Sequence, residues 1–301
     1  MPFPYRNETK EMNDDARTSA GGSFIRLSDG LTHYEAGGNE LGEVVVLVHG
    51  FSVPYFIYDP TFDFLTKSGF RVVRYDLFGR GFSDRPNVKY NLDFFVKQLH
   101  DLLNALRLAS TSLSASTRPV NLIGLSMGGS IASAFTVRHQ ERVHKLVLID
   151  PCGAKPIDSG ITLKIAKIPL LAELLYGQLG SDNMVKSVAN DFFDPVLVEH
   201  FQSRYKIQMG YKGFMRAILS TIRSGTLGSF MNLYMALGRL NKPVLLFWGR
   251  NDKTVPFEHS DLLRAAMPNA KFQVIEDCGH IPHYEKPDQF NPILLSFLRQ
   301  T

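Results

Sequence analysis

The chain has few cysteines and no long apolar run. Its 301 residues include only two cysteines, Cys152 and Cys278, which exclude a small secreted scaffold held together by several disulfides. No stretch approaches the roughly 18 consecutive apolar residues that a membrane-spanning helix needs. The first residues, MPFPYRNETKEMNDD, lack the basic segment followed by an apolar one that makes a signal peptide. These absences predict a soluble, cytoplasmic protein with free thiols.

The chain also lacks a large net charge. The formal net charge is +4, and the whole excess lies between Gly153 and Leu240, where there are 10 Lys and Arg but 6 Asp and Glu. The basic residues are scattered singly, unlike the clustered footprint of a nucleic-acid-binding protein, so no nucleic-acid partner is expected. Scattered cations are typical of a solvated helical face, although they would also favour an anionic substrate or peripheral contact with a membrane surface. The oligomeric state is left open.

Strands and helices alternate along most of the chain. Apolar runs predict strands at 24–27, 31–34, 44–48, 71–75, 120–124, 145–149, 244–247 and 271–275. Helical spacing follows at 92–108, from 127 onward, at 258–267 and at 287–299. This alternation predicts an α/β fold with a mostly parallel central sheet and helices on both faces.

One segment interrupts the alternation. Residues 153–240 show helical patterns rich in Phe, Met, Leu and Tyr, and no convincing strand. An insertion of this kind between two strands predicts a helical cap over the carboxyl ends of the strands, where functional groups collect in such sheets. We therefore predict a flexible lead-in at 1–22, a core formed by 23–152 and 241–301, and the cap at 153–240.

A nucleophile elbow is predicted at Gly124-Leu125-Ser126-Met127-Gly128, which fits G-x-S-x-G after an apolar strand. Glycines two residues either side of the serine remove Cβ atoms that would collide in a sharp strand-to-helix turn. Ser126 would lie at a helix N-terminus, where backbone N–H groups favour negative charge. The pattern predicts that Ser126 is a nucleophile whose side chain is lifted clear of the backbone.

A serine hydroxyl needs a base, and the base needs a carboxylate to hold its tautomer. His280 follows the strand at 271–275, and Asp252 follows the strand at 244–247, so both reach the sheet edge that carries Ser126. Asp150 also ends a strand and is the alternative acid. Asp76 and Asp84 are expected to fix loop hydrogen bonds.

Four motifs in this order resemble those of the α/β-hydrolases: VVVLVHGF, DLFGRGFSD, GLSMGG, and the pair GRND and CGHIPHYEKP. The resemblance extends from about Phe24 to Thr301. It implies Ser126 as nucleophile, His280 as general base and acid, and Asp252 as the orienting carboxylate. It also implies an oxyanion hole formed by the backbone N–H groups of Phe51 and Met127, with His49 shaping the turn.

No cofactor or metal is expected. Cys278, His280 and His283 have the spacing C-x-H-x-x-H, but no second cluster completes a tetrahedral zinc site. The segment Gly79-Arg80-Gly81 lacks the third glycine of a dinucleotide-binding loop.

The resemblance does not determine which type of bond the protein cleaves. Haloalkane dehalogenases and epoxide hydrolases of this fold have an aspartate in place of Ser126, which argues against both. The apolar cap, with Phe51, Tyr55 and Phe56 at its mouth, favours a carboxylic-ester hydrolase acting on small to medium apolar esters, for example monoacylglycerol-like lipids. The alternatives are a carbon-carbon hydrolase of dienoate ring-cleavage products, disfavoured by the few glycines after His49-Gly50, a cofactor-free perhydrolase, and a non-catalytic ligand-binding protein.

Overall fold

The computed structural model describes residues 5–108, 119–157, 164–176 and 181–300. Its sheet has eight strands: β1 Ser23–Leu27, β2 Gly30–Gly38, β3 Val44–Val48, β4 Arg71–Tyr75, β5 Val120–Leu125, β6 Val143–Ile149, β7 Val244–Gly249 and β8 Lys271–Ile275. Their order is β1-β2-β4-β3-β5-β6-β7-β8. Strand β2 runs antiparallel to β1 and β4, and every other pairing is parallel. The predicted mostly parallel sheet is confirmed.

Helices cover both faces of this sheet. The described α-helices are α1 Asp14–Ala20, α2 Asp59–Lys67, α3 Leu92–Ala105, α4 Met127–Arg138, α5 Leu171–Leu175, α6 Ser181–Ser187, α7 Val198–Met209, α8 Phe214–Arg223, α9 Met231–Gly238, α10 His259–Ala266, α11 Pro282–Glu285 and α12 Pro287–Arg299. Helices α3, α4 and α9 pack together as one layer, and α2, α11 and α12 pack together as another. Strands β5 and β7 are buried along their whole length, as expected of strands between two helical layers.

The inserted segment carries α5 to α9 and, in its described residues, no strand. Its last helix, α9, packs against α4 and α10. The buried Tyr234 hydroxyl donates a hydrogen bond of 2.5 Å to the carbonyl of Cys152. The carboxyl end of the insertion is therefore anchored in a helical layer of the core.

The N-terminal segment holds a helix and contacts with the cap that the sequence did not predict. Asn13 caps α1 by accepting from the Ala16 N–H. Glu8 accepts from the backbone N–H groups of Gly213 and Met215, each at 2.6 Å, and burial raises the pKa of this carboxyl. Residues 5–22 therefore join the core to the start of helix α8.

Both cysteines are buried and free. None of the described helices is both long enough and apolar enough to cross a membrane. The predicted contact of the basic cap with a membrane surface stays a prediction.

Candidate active site

Ser126 lies in a strained turn between β5 and α4. Its backbone has φ 53° and ψ −119°, a conformation that non-glycine residues rarely adopt. The Ser126 N–H donates to the carbonyl of Ile149 at the end of β6, which fixes the turn to the neighbouring strand. A Cβ on Gly128 would overlap the carbonyl oxygen of Val48, and one on Gly124 would overlap that of Gly128. The two glycines of the motif are therefore required by close backbone packing.

His280 and Asp252 form a buried pair at the same sheet edge. The Nδ1 atom of His280 lies 2.6 Å from Oδ2 of Asp252. The other carboxylate oxygen, Oδ1, accepts from the N–H groups of Thr254 at 2.7 Å and Val255 at 2.9 Å. Three donors thus fix the carboxylate, and the carboxylate fixes the tautomer of the ring.

Electrostatics favour the protonated form of His280. Burial alone would lower its pKa, but the charge and hydrogen bond of Asp252 outweigh burial and raise it. His280 and Ser126, which both belong to the described part of the chain, are not hydrogen-bonded to each other, but both line the same cavity. Contacts of this kind often tighten only when substrate binds.

Asp150, the alternative acid, lies beside this pair without contacting the histidine. Its Oδ1 accepts from the Gly249 N–H at 2.8 Å, and its buried Oδ2 has no partner among the described residues. Burial and the nearby charge of Asp252 raise the pKa of Asp150 well above its usual range. The hydrogen bond of His280 therefore goes to Asp252, while Asp150 is a buried neighbour in which burial and the charge of Asp252 favour the protonated form.

The oxyanion turn after β3 is held by a neutral histidine. Burial lowers the pKa of His49 to about 4. Its Nδ1 donates to the carbonyl of Gly50, and its Nε2 accepts from the Leu77 N–H, both at 2.9 Å. Met127 is buried directly after the nucleophile, and Phe51 lines the cavity. Phe51 thus shares a cavity with Ser126 and Met127 follows it in the chain, and the role of their N–H groups in an oxyanion hole stays a prediction.

Two side chains that the sequence did not single out for the site hold the same turn. The buried Arg80 donates from Nε to the carbonyl of Phe51 at 2.8 Å and from Nη2 to Thr221 of the cap at 2.9 Å. Gln208, also in the cap, donates to the carbonyl of Ser52 and accepts from the Gly81 N–H, both at 2.8 Å. The cap is thus bonded to the oxyanion turn.

A cavity of about 760 Å³ lies between the core and the cap and includes Ser126 and His280. Phe51 lines it as predicted, but Tyr55 and Phe56 do not. Tyr55 stacks on His33 at 4.8 Å between ring centroids, and Phe56 packs edge-on against Phe201 at 5.1 Å. The prediction that Tyr55 and Phe56 line the pocket is wrong, because both rings pack against other side chains instead.

The C-x-H-x-x-H residues do not converge on a metal site. The Cys278 thiol donates to Glu285 at 3.3 Å, and His283 stacks on Tyr58 at 4.7 Å. Asp150, Asp252 and His280 do have ligand atoms within 4.8 Å of one another. The direct hydrogen bond between Asp252 and His280, and the raised pKa of Asp150, fit a hydrogen-bonded acid-base group better than a ligand set.

Asp76 and Asp84 hold loops, as expected. Asp76 accepts from the N–H groups of Tyr55 and Phe82 at 2.9 Å, and Asp84 accepts from that of Leu31 at 2.7 Å. Neither carboxylate lines the cavity.

Comparison with known proteins finds a match to the model of the alpha/beta hydrolase family over residues 45–293. The chain is 30% identical to a 2-hydroxy-6-oxononadienedioate/2-hydroxy-6-oxononatrienedioate hydrolase of Dechloromonas aromatica (strain RCB), covering 96% of this chain and 98% of that protein. It is 27% identical to the 2-hydroxy-6-oxo-6-phenylhexa-2,4-dienoate hydrolase of Comamonas testosteroni, covering 91% and 93%. A solved meta-cleavage product hydrolase from Pseudomonas fluorescens IP01 superposes with a TM-score of 0.74 at 27% identity, covering 93% and 98%.

These relatives correct the predicted reaction. The preference for a carboxylic-ester hydrolase over a carbon-carbon hydrolase is wrong, because the relatives that cover nearly the whole chain are named for dienoate hydrolysis. The same Ser, His and Asp serve both reactions, so the triad itself could not separate them. The few glycines after His49-Gly50 were a poor criterion.

Proposed function

The chain belongs to the alpha/beta hydrolase family, and from this premise we propose that it hydrolyses a carbon-carbon bond in a 2-hydroxy-6-oxo-dienoate, a meta-cleavage product. The observation that carries the proposal is the similarity to dienoate hydrolases over at least 91% of the chain. Ser126 and His280 on one cavity supply the groups that such a reaction needs.

The enol at C2 of the substrate must first become a ketone before the bond between C5 and C6 can break. Cleavage between C5 and C6 leaves an electron pair on C5, which in the dienol form would be an unstabilised vinyl anion. Transfer of the 2-hydroxyl proton to C5 gives a 2,6-diketone, in which that pair delocalises through C4 and C3 onto the 2-oxo oxygen. His280 is the group in the cavity suited to carry this proton.

Ser126 then attacks C6 while His280 takes its proton. The developing oxyanion is stabilised by the N–H groups of Phe51 and Met127, and each such donor contributes roughly 3 to 4 kcal/mol. Collapse breaks the C5–C6 bond and leaves an acyl group on Ser126. His280 returns its proton to the departing dienolate, which leaves as a 2-hydroxypentadienoate, so the histidine is neutral again for the next step. Water, deprotonated by His280, releases this group as a carboxylic acid, so one water is consumed for each bond broken.

The decisive experiment follows the loss of visible absorbance of 2-hydroxy-6-oxo-6-phenylhexa-2,4-dienoate and quantifies benzoate. We expect one benzoate for each dienoate consumed, and a fall in kcat of roughly 10⁴- to 10⁶-fold for Ser126→Ala. A set of p-nitrophenyl esters in parallel measures any ester hydrolysis.

Labelling of Ser126 by a fluorophosphonate separates an inactive preparation from a wrong substrate. A protein that is labelled at Ser126 but leaves dienoates untouched contradicts the proposal. Tight dienoate binding without benzoate would identify a non-catalytic binding protein instead.

A further inference from the structure

We propose that this cavity selects dienoates with a single carboxylate and an apolar 6-substituent, such as an aryl or alkyl group, and that Lys253 binds the carboxylate. The inference rests on the proposed function and deepens it, because the relatives are named for both kinds of substrate, one with a phenyl group and one with a second carboxylate.

Positive charge is scarce around the cavity. Among the described lining residues, Lys253 is the one lysine or arginine and Asp191 the one aspartate or glutamate. His280 also lines the cavity but must be neutral to act as the base, so it supplies no permanent positive charge. The segments 158–163 and 177–180, outside the described residues, contain no lysine or arginine in the sequence. Burying a carboxylate without a cationic or hydrogen-bonding partner is strongly unfavourable. A substrate with two carboxylates would therefore have one cation for two anions.

Other cations near the cap are already engaged elsewhere. Arg204 pairs with Asp59, and Arg223 pairs with Glu173 at 2.5 Å. Arg80 donates to the carbonyl of Phe51 and does not line the cavity. None of these three arginines lines the cavity, so none of them is placed to bind a second carboxylate of the substrate.

Asp191 supplies no positive charge for a second carboxylate in either protonation state. It lies in the cap beside His280, accepts from the Thr254 hydroxyl at 2.6 Å, and burial raises its pKa. When ionised, it repels a nearby carboxylate. When protonated, it supplies no positive charge to balance one.

The cap side of the cavity is suited to an apolar group. Side chains of the insertion form this wall, among them Ile157, Met184, Val188, Ile218, Ile222 and Leu227. Lys253 instead belongs to the core loop between Asp252 and Thr254, next to the catalytic pair. The cap side also carries polar residues, among them Asn183 and Asn190, but no lysine or arginine among its described lining residues. Lys253 on the core loop therefore predicts one orientation: carboxylate toward the core loop, 6-substituent toward the apolar side chains of the cap.

The test compares kcat/KM for three dienoates that differ in the 6-substituent: phenyl, propyl and 2-carboxyethyl. We expect phenyl and propyl to exceed 2-carboxyethyl by roughly 100-fold or more. The propyl compound is the matched control, because it resembles the carboxyethyl group in size but lacks its charge. Equal turnover of propyl and carboxyethyl substrates, or a preference for the latter, overturns the inference while the proposed function stands.

The role of Lys253 is tested by KM and kcat measured separately. Lys253→Met should raise KM for the phenyl substrate roughly 10- to 100-fold with a smaller change in kcat, and Lys253→Arg should restore most of the affinity. Lys206→Met, on an exposed position of α7, is the control for loss of one positive charge. An unchanged KM in Lys253→Met overturns the carboxylate contact. Failure of wild type on all three dienoates contradicts the proposed function, and this inference with it.

Discussion

Replacing each of the two candidate acids by asparagine should give opposite results. In Asp252, Oδ1 accepts two backbone N–H groups, so the amide oxygen of an Asp252→Asn side chain must occupy that position. Its NH₂ group then faces Nδ1 of His280, where Oδ2 stood 2.6 Å away. Because an NH₂ group only donates, Nδ1 has to lose its proton and Nε2 has to carry one. A histidine in that tautomer cannot take the proton of Ser126.

The expected loss for Asp252→Asn is about 10⁴-fold in kcat, the size known for a triad aspartate changed in this way, or roughly 5 to 6 kcal/mol of barrier. In Asp150, Oδ1 accepts from Gly249, so Asp150→Asn places its NH₂ at the unpartnered Oδ2 position. The raised pKa of Asp150 favours an OH at this position, and the NH₂ would replace that OH with another neutral donor. We expect less than about a threefold change, under roughly 1 kcal/mol.

Both variants are compared by kcat/KM on the phenyl dienoate and by the rate of fluorophosphonate labelling at Ser126. The labelling rate reports the activation of the serine without depending on the substrate. Thermal unfolding of both variants shows whether a loss reflects unfolding. Equal losses in the two variants, or a larger loss for Asp150→Asn, would refute the assignment of the acid.

Three further predictions concern the base, the cap and the elbow. The pKa of His280 is raised above the ordinary histidine value of 6.5. As the pH falls through this raised pKa, His280 becomes protonated and can no longer act as a base, so the acid limb of a kcat/KM pH profile should have its midpoint above 6.5. Gln208→Ala should lower kcat roughly 10- to 100-fold with little change in KM, because the Ser52 carbonyl next to the oxyanion turn and the Gly81 N–H next to Arg80 lose their partner. Gln202→Ala is the control in the same kinetic assay, since this side chain donates to the Val185 carbonyl within the cap. Gly128→Ala should lower the thermal unfolding temperature by several degrees or prevent folding, since its Cβ would overlap strand β3, whereas Gly210→Ala, with its nearest neighbour at 3.6 Å, should be close to neutral.

The sequence predicted the regular elements well where their local pattern is strong. Strands β3, β4 and β8 and helix α12 have the predicted bounds, because each is an apolar or periodic run between clear breaks. Helix α2 was not predicted, and the first helix of the chain was taken for a flexible segment. Helix α2 is short and depends on the packing of Thr61, Phe62 and Leu65. Helix α1 buries no residue, and its sequence signal, the Asn13 cap followed by two aspartates, was missed.

The site was predictable only where sequence position fixes spatial position. Ser126, Asp252 and His280 each follow a strand of a parallel sheet, and the carboxyl ends of such strands meet at one edge. Gln208 carries no comparable signal, since the carbonyl it binds lies 156 residues away in the chain. Tyr55 and Phe56 show the reverse error: closeness in sequence to Phe51 did not place their rings in the cavity.

The contact between the cap and the histidine loop limits how this protein can admit its substrate. The backbone N–H of His280 donates to the carbonyl of Asp191 at 2.8 Å, and a Cβ on Gly279 would collide with the same carbonyl. Lifting this part of the cap would release the backbone of the catalytic base. We therefore expect the substrate to enter past another part of the cap. A cap that opened widely at Asp191 would loosen the loop of the proposed base at the moment the cavity meets bulk water, which would disfavour unselective hydrolysis of other acyl compounds.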